Sequence, residues 1–246
     1  MLNLISLAKL ISQMTAKTKL HLSSIFIGVS LTFILHSCNT GQVQNTYQGK
    51  AFSDSLYTSG IQTIPGKLQC EYYDFGGEGI AYHDSDSTNS GSGRLNPSNG
   101  TYLHEFRINE AVDISYTKTG GVDDNAYNFI EPVQGQLYVG WTSPGEWINY
   151  SVDVKESGSY KLGLMFTSNQ NGKISISLND KDLSGPMTVT STFVEADSIA
   201  WRQWHHWNYI DSIGTIQLEK GQQVLRLHTL EIGQMNYDFI NFELIK

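Results

Sequence analysis

Residues 146–154 read EWINYSVDV, and polar and apolar side chains alternate through most of this segment. Successive side chains of a β-strand point to opposite faces, so Ile148, Tyr150 and Val152 share one face and the residues between them share the other. A Ser-Gly turn signal at 157–158 ends the pattern. This period of two predicts a strand with one face on a core and the other toward solvent.

Short alternating segments of the same kind recur after residue 67, and no segment has the period of a helix. They lie at residues 160–167, 174–178, 216–218, 224–230 and 235–245. A Glu-Lys-Gly turn at 219–221 predicts that the third and fourth of these form a hairpin. Many short antiparallel strands without helices predict an all-β fold, a β-sandwich or jelly roll of roughly eight to ten strands.

The charge and cysteine content exclude several classes of protein. The chain has 246 residues, with 16 basic and 24 acidic side chains and a formal charge of −8. We expect no nucleic-acid partner, because neutralising phosphates requires clustered Lys and Arg. Two cysteines, Cys38 and Cys70, are too few for a disulfide scaffold or a four-cysteine zinc site. Cys70 lies on the apolar face of its segment, which predicts a small buried hydrophobic residue.

The first 37 residues have the features of an export signal. An apolar run at 22–35 follows three lysines and is shorter than the roughly eighteen residues that span a bilayer. The run ends in Leu-His-Ser-Cys, which resembles the lipobox of bacterial lipoproteins, where the cysteine is lipidated after cleavage. We therefore predict a signal peptide at 1–37 and lipidation of Cys38. An ordinary signal peptide or an N-terminal anchor is the alternative.

The predicted chain organisation has three parts. After the signal peptide, residues 38–63 are rich in Gly, Ser, Thr, Gln and Asn and predict a flexible tether. Residues 64–246 form the predicted folded module, which we expect to be monomeric. Lipidated Cys38 would attach this exported module to a membrane of the cell envelope, at the outer membrane or the cell surface.

Seven short blocks between residues 64 and 246 together resemble the family six carbohydrate-binding modules. Any one block is weakly specific, whereas their order along the chain is specific. The blocks are IPGKLQCEYYD at 64–74, GGEGIAYHD at 76–84, FR at 106–107, VDI at 112–114, VGW with GEWINY between 139 and 150, WRQW at 201–204 and NYDFI at 236–240.

The resemblance implies a jelly roll with a sugar site in the loops at one end. Trp201 matches the family's sugar-stacking tryptophan, and Phe106 matches its second aromatic residue. Asn236 matches a residue that hydrogen-bonds sugar hydroxyls, and Glu78 lies near a further polar contact. An insertion at 94–105 borders the expected cleft and leaves its shape, and hence the glycan, open.

The resemblance also implies a structural calcium ion. Gln69, Glu71 and Asp238 match the family's side-chain calcium ligands. The spacing of Gln69 and Glu71 places both on one strand face, and Ca²⁺ takes oxygen ligands of these types. The alternative is that Gln69 and Glu71 are ordinary solvent-facing strand residues.

The aromatic segment WRQWHHW at 201–207 has more than one interpretation. If it is a strand, tryptophans three apart point to alternate faces, so we expect Trp204 to pack inward and Trp201 to be exposed. His205 and His206 are adjacent and match no zinc motif, which favours structural histidines. Asp123 belongs to an Asp-Asp-Asn sequence that lacks the spaced acids of an EF-hand and predicts a solvated turn.

The resemblance implies non-catalytic binding of a polysaccharide or oligosaccharide. The alternatives are a secreted glycoside hydrolase or lyase on a β-sandwich, and a surface structural or adhesion protein. Hydrolysis needs two carboxylates about 5 to 10 Å apart across the scissile bond. The spacing of Glu71, Asp74 and Glu78 does not match the active-site strand of sandwich glucanases, so we expect no enzymatic activity.

Overall fold

The computed structural model describes residues 47–246. The predicted signal peptide, the predicted lipidation site Cys38 and the first part of the predicted tether lie outside the described residues. No helix within residues 47–246 is long and apolar enough to cross a membrane.

Thirteen strands and two short helical segments form the described part of the chain. The helical segments are an α-helix, Tyr102–Glu105 (α1), and a 3-10 helix, Ala200–Trp204. The strands are Gln62–Ile64 (β1), Gly66–Gln69 (β2), Tyr82–His83 (β3), Ile114–Tyr116 (β4), Leu137–Val139 (β5), Trp147–Val154 (β6), Gly158–Thr167 (β7), Gly172–Leu178 (β8), Lys181–Asp182 (β9), Met187–Val189 (β10), Asn208–Leu218 (β11), Gly221–Glu231 (β12) and Asn236–Leu244 (β13).

The strands form two sheets. The seven-stranded sheet has the order β1-β6-β12-β8-β10, with β3 also paired to β6 and β9 to β8. The six-stranded sheet has the order β11-β7-β13-β5-β4, with β2 paired to β13. Within the described chain, these strand pairings are antiparallel except that of β1 with β6. The predicted all-β sandwich fold is confirmed.

One hydrophobic core lies between the two sheets. In β6, Tyr150 and Val152 are buried as the alternation predicts, and they pack in the same cluster as Leu162 and Leu164 of β7. Cys70 is fully buried in this cluster, which confirms its interpretation as a small core residue. The period of two therefore identified the core faces correctly.

The predicted hairpin around residues 219–221 does not form, although the turn does. β11 pairs with β7 in one sheet, whereas β12 pairs with β6 and β8 in the other. Both strands bury their apolar faces in the core, where Ile216 faces from one sheet and Leu225 from the other. The turn thus joins the two sheets, and the apolar faces of β11 and β12 meet in the core between them.

Residues 47–63, assigned to the flexible tether by composition, instead pack on the sandwich. Phe52 is 3% exposed, and its ring stacks on that of Tyr72 at a centroid distance of 5.6 Å. Lys50 exchanges two backbone hydrogen bonds with Phe75, and β1 pairs with β6. The aromatic side chains of this segment bury apolar area that its otherwise polar composition concealed.

Candidate functional site

A cleft of about 350 Å³ opens between the loops at one end of the sandwich. Its walls come from the ends of β5 and β13, from the 3-10 helix and from the insertion at 94–105. The lining residues are Leu95, Tyr138, Trp141, Trp201, Trp204, His205, Gln234 and Asn236. Two residues predicted from the sequence, Trp201 and Asn236, therefore meet in one cleft.

The 3-10 helix places two tryptophans on the same side. Side chains three residues apart eclipse each other in this helix, so Trp201 and Trp204 both line the cleft. Trp201 is 53% exposed and Trp204 is partly buried. The expectation that Trp204 packs inward from a strand is wrong, because the segment is helical there. Trp207 is the residue that is completely buried.

A buried carboxylate holds this helix in place. Asp197 accepts hydrogen bonds at 2.7 Å from both Nε and one terminal nitrogen of Arg202, and at 2.8 Å from Nε2 of His206. The hydrogen bonds from Arg202 are the main reason that the pKa of Asp197 lies well below its ordinary value. Charge-assisted bonds of this kind are stronger than neutral ones, so the helix carrying Trp201 is firmly positioned.

Trp141 is a third tryptophan of the cleft, and its sequence motif did not predict a role in binding. Its φ angle of 48° lies in the left-handed region, which is a strained conformation for a bulky residue. The next residue, Thr142, accepts a hydrogen bond from the backbone of Gln234 and donates one at 3.0 Å to the carbonyl of Met235. The loop before β13 thus holds the strained turn. Its signal in the sequence was a large aromatic residue directly after an apolar strand and a glycine.

Asn236 presents an acceptor in the cleft. Its Nδ2 donates at 2.8 Å to Thr167 Oγ1 and at 2.8 Å to the carbonyl of Trp204. Both donor hydrogens are thereby used, and Oδ1 is left as the polar atom for a ligand. A Cβ on Gly140 would lie 2.8 Å from this Oδ1, so a glycine is required beside it.

Phe106 and Glu78 do not lie in this cleft. Phe106 is 3% exposed, and its ring packs against Tyr102 and Phe52 at centroid distances of 5.1 and 5.4 Å. The N-terminal segment carrying Phe52 covers it, which the sequence pattern did not predict. Glu78 is exposed, and its carboxylate accepts hydrogen bonds from the His83 ring and the backbone of Asp84.

The residues predicted to bind calcium come together at the pairing of β2 with β13. Cys70 donates a backbone hydrogen bond to the carbonyl of Asp238 at 2.9 Å, which brings Glu71 beside Asp238. Both carboxylates are 2% exposed, so the solvent-facing alternative for Glu71 is wrong. Oε2 of Glu71 and Oδ1 of Asp238 are buried and have no hydrogen-bond partner in the described chain.

Burial and mutual repulsion disfavour the charged forms of these two carboxylates. Burial raises the pKa of Glu71 well above its ordinary value, and the charge of Asp238 adds to the effect. Burial also raises the pKa of Asp238 to about 7. Residues 47–246 contain no group of three or more His, Cys, Asp or Glu side chains suited to a metal. The other ligands would have to be amide or backbone oxygens, such as Gln69 Oε1, which now accepts from Gln136 at 2.9 Å. An all-oxygen set of this kind fits Ca²⁺.

Comparison with known proteins identifies one family. A family model described as carbohydrate binding module, family 6, matches residues 110–244, which is more than half of the chain. This range includes the predicted blocks from VDI onward, whereas the earlier blocks precede it. No curated protein matches the chain.

Several solved structures are similar to the protein. A family 6 module of Cellvibrio mixtus lichenase 5A, in complex with cellotriose, is 18% identical, with a TM-score of 0.40 over 55% of this chain and 88% of that module. A Clostridium stercorarium family 6 module with cellobiose is 12% identical, with a TM-score of 0.45 over 76% and 100% of the two chains. A β-1,3-glucan-binding module from Bacillus halodurans is 16% identical, with a TM-score of 0.44 over 74% and 98%.

Proposed function

The chain belongs to carbohydrate-binding module family 6, and from this premise we propose that its loop-end cleft binds a polysaccharide or oligosaccharide without cleaving it. The observation that carries the proposal is the meeting of Trp141, Trp201 and Trp204 in a single cleft. Pyranose rings have apolar C–H faces that a flat indole can cover. Asn236 adds an acceptor for a sugar hydroxyl at the edge of these rings.

The size of these contacts supports weak binding. Covering roughly 60 Å² of a sugar face contributes about 1.5 kcal/mol at about 25 cal/mol/Å². Two such contacts and net hydrogen bonds of about 1 kcal/mol each, set against the cost of association, give a Kd of roughly 10 µM to 1 mM. Affinity in this range suits the capture of a polymer that offers the same unit many times.

The composition of the cleft favours a neutral glycan and disfavours catalysis. None of the described residues lining it is Asp, Glu, Lys or Arg, and His205 is its titratable group other than tyrosine. A glycoside hydrolase needs two carboxylates beside the scissile bond, and this cleft supplies neither. The alternative function, cleavage of a glycan by a hydrolase or a lyase, therefore has no support in the residues that line this cleft.

A structural calcium ion is the second part of the proposal. Glu71 and Asp238 would supply the carboxylate oxygens that are buried without partners, and Gln69 would supply an amide oxygen. The ion would join β2 to β13, and its charge would offset the repulsion between the two carboxylates. We assign it a role in stability, since none of these three residues lines the cleft.

Export and anchoring complete the proposal. The signal-like residues 1–37 and the lipobox-like sequence before Cys38 support attachment of the module to the cell envelope. Expression in a bacterium fed radiolabelled palmitate should label the chain, and Cys38→Ser should abolish the label. Labelling that survives this substitution would contradict the assignment of Cys38.

Calorimetric titration of the full chain tests the binding function. The probes are cellotetraose, laminaritetraose and xylotetraose, and each mixture is then assayed for new reducing ends. We expect a Kd in the stated range for at least one probe and no reducing ends from any of them. Release of reducing ends would favour the hydrolase, and absence of binding to all three would favour a structural role.

A further inference from the structure

Two adjacent histidines differ in how their ring nitrogens are used. His206 is completely buried, and both of its nitrogens are engaged, Nδ1 with the carbonyl of Thr192 at 3.1 Å and Nε2 with Asp197 at 2.8 Å. His205 lines the cleft with its side chain 15% exposed. Its Nδ1 lies 2.8 Å from Asp123 Oδ1, and its Nε2 has no hydrogen-bond partner among residues 47–246. His206 is thus structural, as the sequence predicted, whereas Nε2 of His205 is available to a ligand.

The partners of Asp123 determine which nitrogen of His205 carries the proton. Asp123 is completely buried, so the predicted solvated turn is wrong at this residue. Its Oδ1 accepts from Trp207 Nε1 at 2.7 Å, and its Oδ2 accepts from the backbone nitrogen of Lys118 at 2.7 Å. Both of these groups can only donate, so both carboxylate oxygens act as acceptors. A neutral His205 therefore carries its proton on Nδ1 and leaves Nε2 as an acceptor.

The ring is also fixed in position beside the exposed tryptophan. Asn125 donates to the carbonyl of His205 at 2.9 Å, and the imidazole packs edge-on against Trp201 at a centroid distance of 5.7 Å. A sugar ring stacked on Trp201 would therefore have its edge within reach of the imidazole. Nε2 is the polar atom that the ring can offer to such a ligand.

We infer that His205 accepts a hydrogen bond from a glycan hydroxyl through Nε2, and that Asp123 is the positioning residue that fixes its tautomer. This inference rests on the proposed function of the cleft. With Asn236 Oδ1, the cleft then presents two acceptors beside the indole rings. The ligand it selects is a neutral glycan with free hydroxyl donors at that edge, so a sugar with an ester at either hydroxyl is rejected.

Titration of variants with cellotetraose, laminaritetraose and xylotetraose tests the contact. His205→Phe keeps an aromatic ring of similar shape and removes Nε2, and we expect it to weaken binding roughly tenfold. Trp201→Ala removes the exposed indole ring and therefore tests whether glycan binds in this cleft at all. If Trp201→Ala weakens binding and His205→Phe binds as the wild type does, this inference is wrong and the proposed function stands. If the wild type binds none of the probes, or Trp201→Ala has no effect, the proposed function fails and the inference fails with it.

Nuclear magnetic resonance of the ¹⁵N-histidine-labelled full chain provides a readout that does not depend on a variant's folding. The His205 spectrum should show a protonated Nδ1 and an unprotonated Nε2, and saturating oligosaccharide should shift Nε2 while leaving His206 unchanged. A protonated Nε2 in the neutral ring, or one that the oligosaccharide does not move, would overturn the contact. In Asp123→Asn, the Nδ1–H form should lose its dominance; an unchanged tautomer would overturn the positioning role.

Discussion

Without the proposed calcium ion, the stability of the folded module should fall as the pH rises from about 4 to about 7. In the metal-free protein, burial raises the pKa of Asp238 from 3.8 to about 7. The neutral carboxyl therefore contributes stability that is fully present below about pH 4 and is lost as the pH rises through about 7. The difference between a pKa of 3.8 and one of about 7 corresponds to a loss of about 4 kcal/mol across this pH range, or roughly 10 °C in Tm for a domain of this size.

Bound calcium should remove this loss, because the cation favours the ionised carboxylates. The assay is differential scanning calorimetry of metal-free protein with added CaCl₂, with MgCl₂ or with neither, over the same pH range. Half-buried Asp84 and buried Asp113 have pKa values raised to about 7 and about 6, so their titration lowers stability in the same direction. Their contribution is common to all samples, and the quantity to compare is the difference in Tm between calcium and metal-free protein at each pH.

Two variants separate the calcium pair from the other acids. Asp238→Asn keeps the shape of the side chain and removes its charge, so it should make the metal-free protein more stable at high pH and abolish the response to calcium. Asp84→Asn should flatten the pH profile and keep the full response to calcium. Identical melting curves with and without calcium at every pH would refute the reasoning, as would an undiminished response in Asp238→Asn.

Three substitutions test the cleft and its surroundings. Trp141→Gly should weaken glycan binding at least about tenfold, because a stacking surface that contributes about 1.5 kcal/mol is lost. It should not lower Tm, because glycine adopts the φ angle of 48° found at this position without strain. Phe193→Ala is its control, since Phe193 is 51% exposed and lies outside the cleft. Equal losses of affinity in the two variants, measured by calorimetric titration, would contradict the assignment of Trp141 to the binding site. Gly140→Ala should weaken binding about fivefold by displacing Asn236 Oδ1, and an unchanged Kd would argue against that acceptor. Phe106→Ala should lower the free energy of unfolding by about 3 to 5 kcal/mol in urea denaturation, and wild-type stability would contradict its place in the core.

The sequence alone determined the properties that depend on neighbouring residues. The alternation in residues 147–154 predicted a strand and its buried face, because a strand's side chains alternate whatever it packs against. The ordered motifs predicted the family, which is confirmed over residues 110–244. They also directed attention to Trp201 and Asn236, which share a cleft. The same motifs pointed to Glu71 and Asp238, which lie close together just beyond the paired residues of β2 and β13.

Only the tertiary structure decided which side chains meet. Phe106 is covered by Phe52 from a segment that composition alone assigned to a tether, so an aromatic motif residue lies in the core instead of the cleft. Trp141 enters the cleft because hydrogen bonds from the loop before β13 hold its strained backbone, and no local pattern contains that loop. His205 and His206 are neighbours in the sequence, yet different buried carboxylates bind them. The physical reason is that burial and hydrogen bonding depend on segments far apart in the chain, whereas a local pattern reports only which face a side chain occupies.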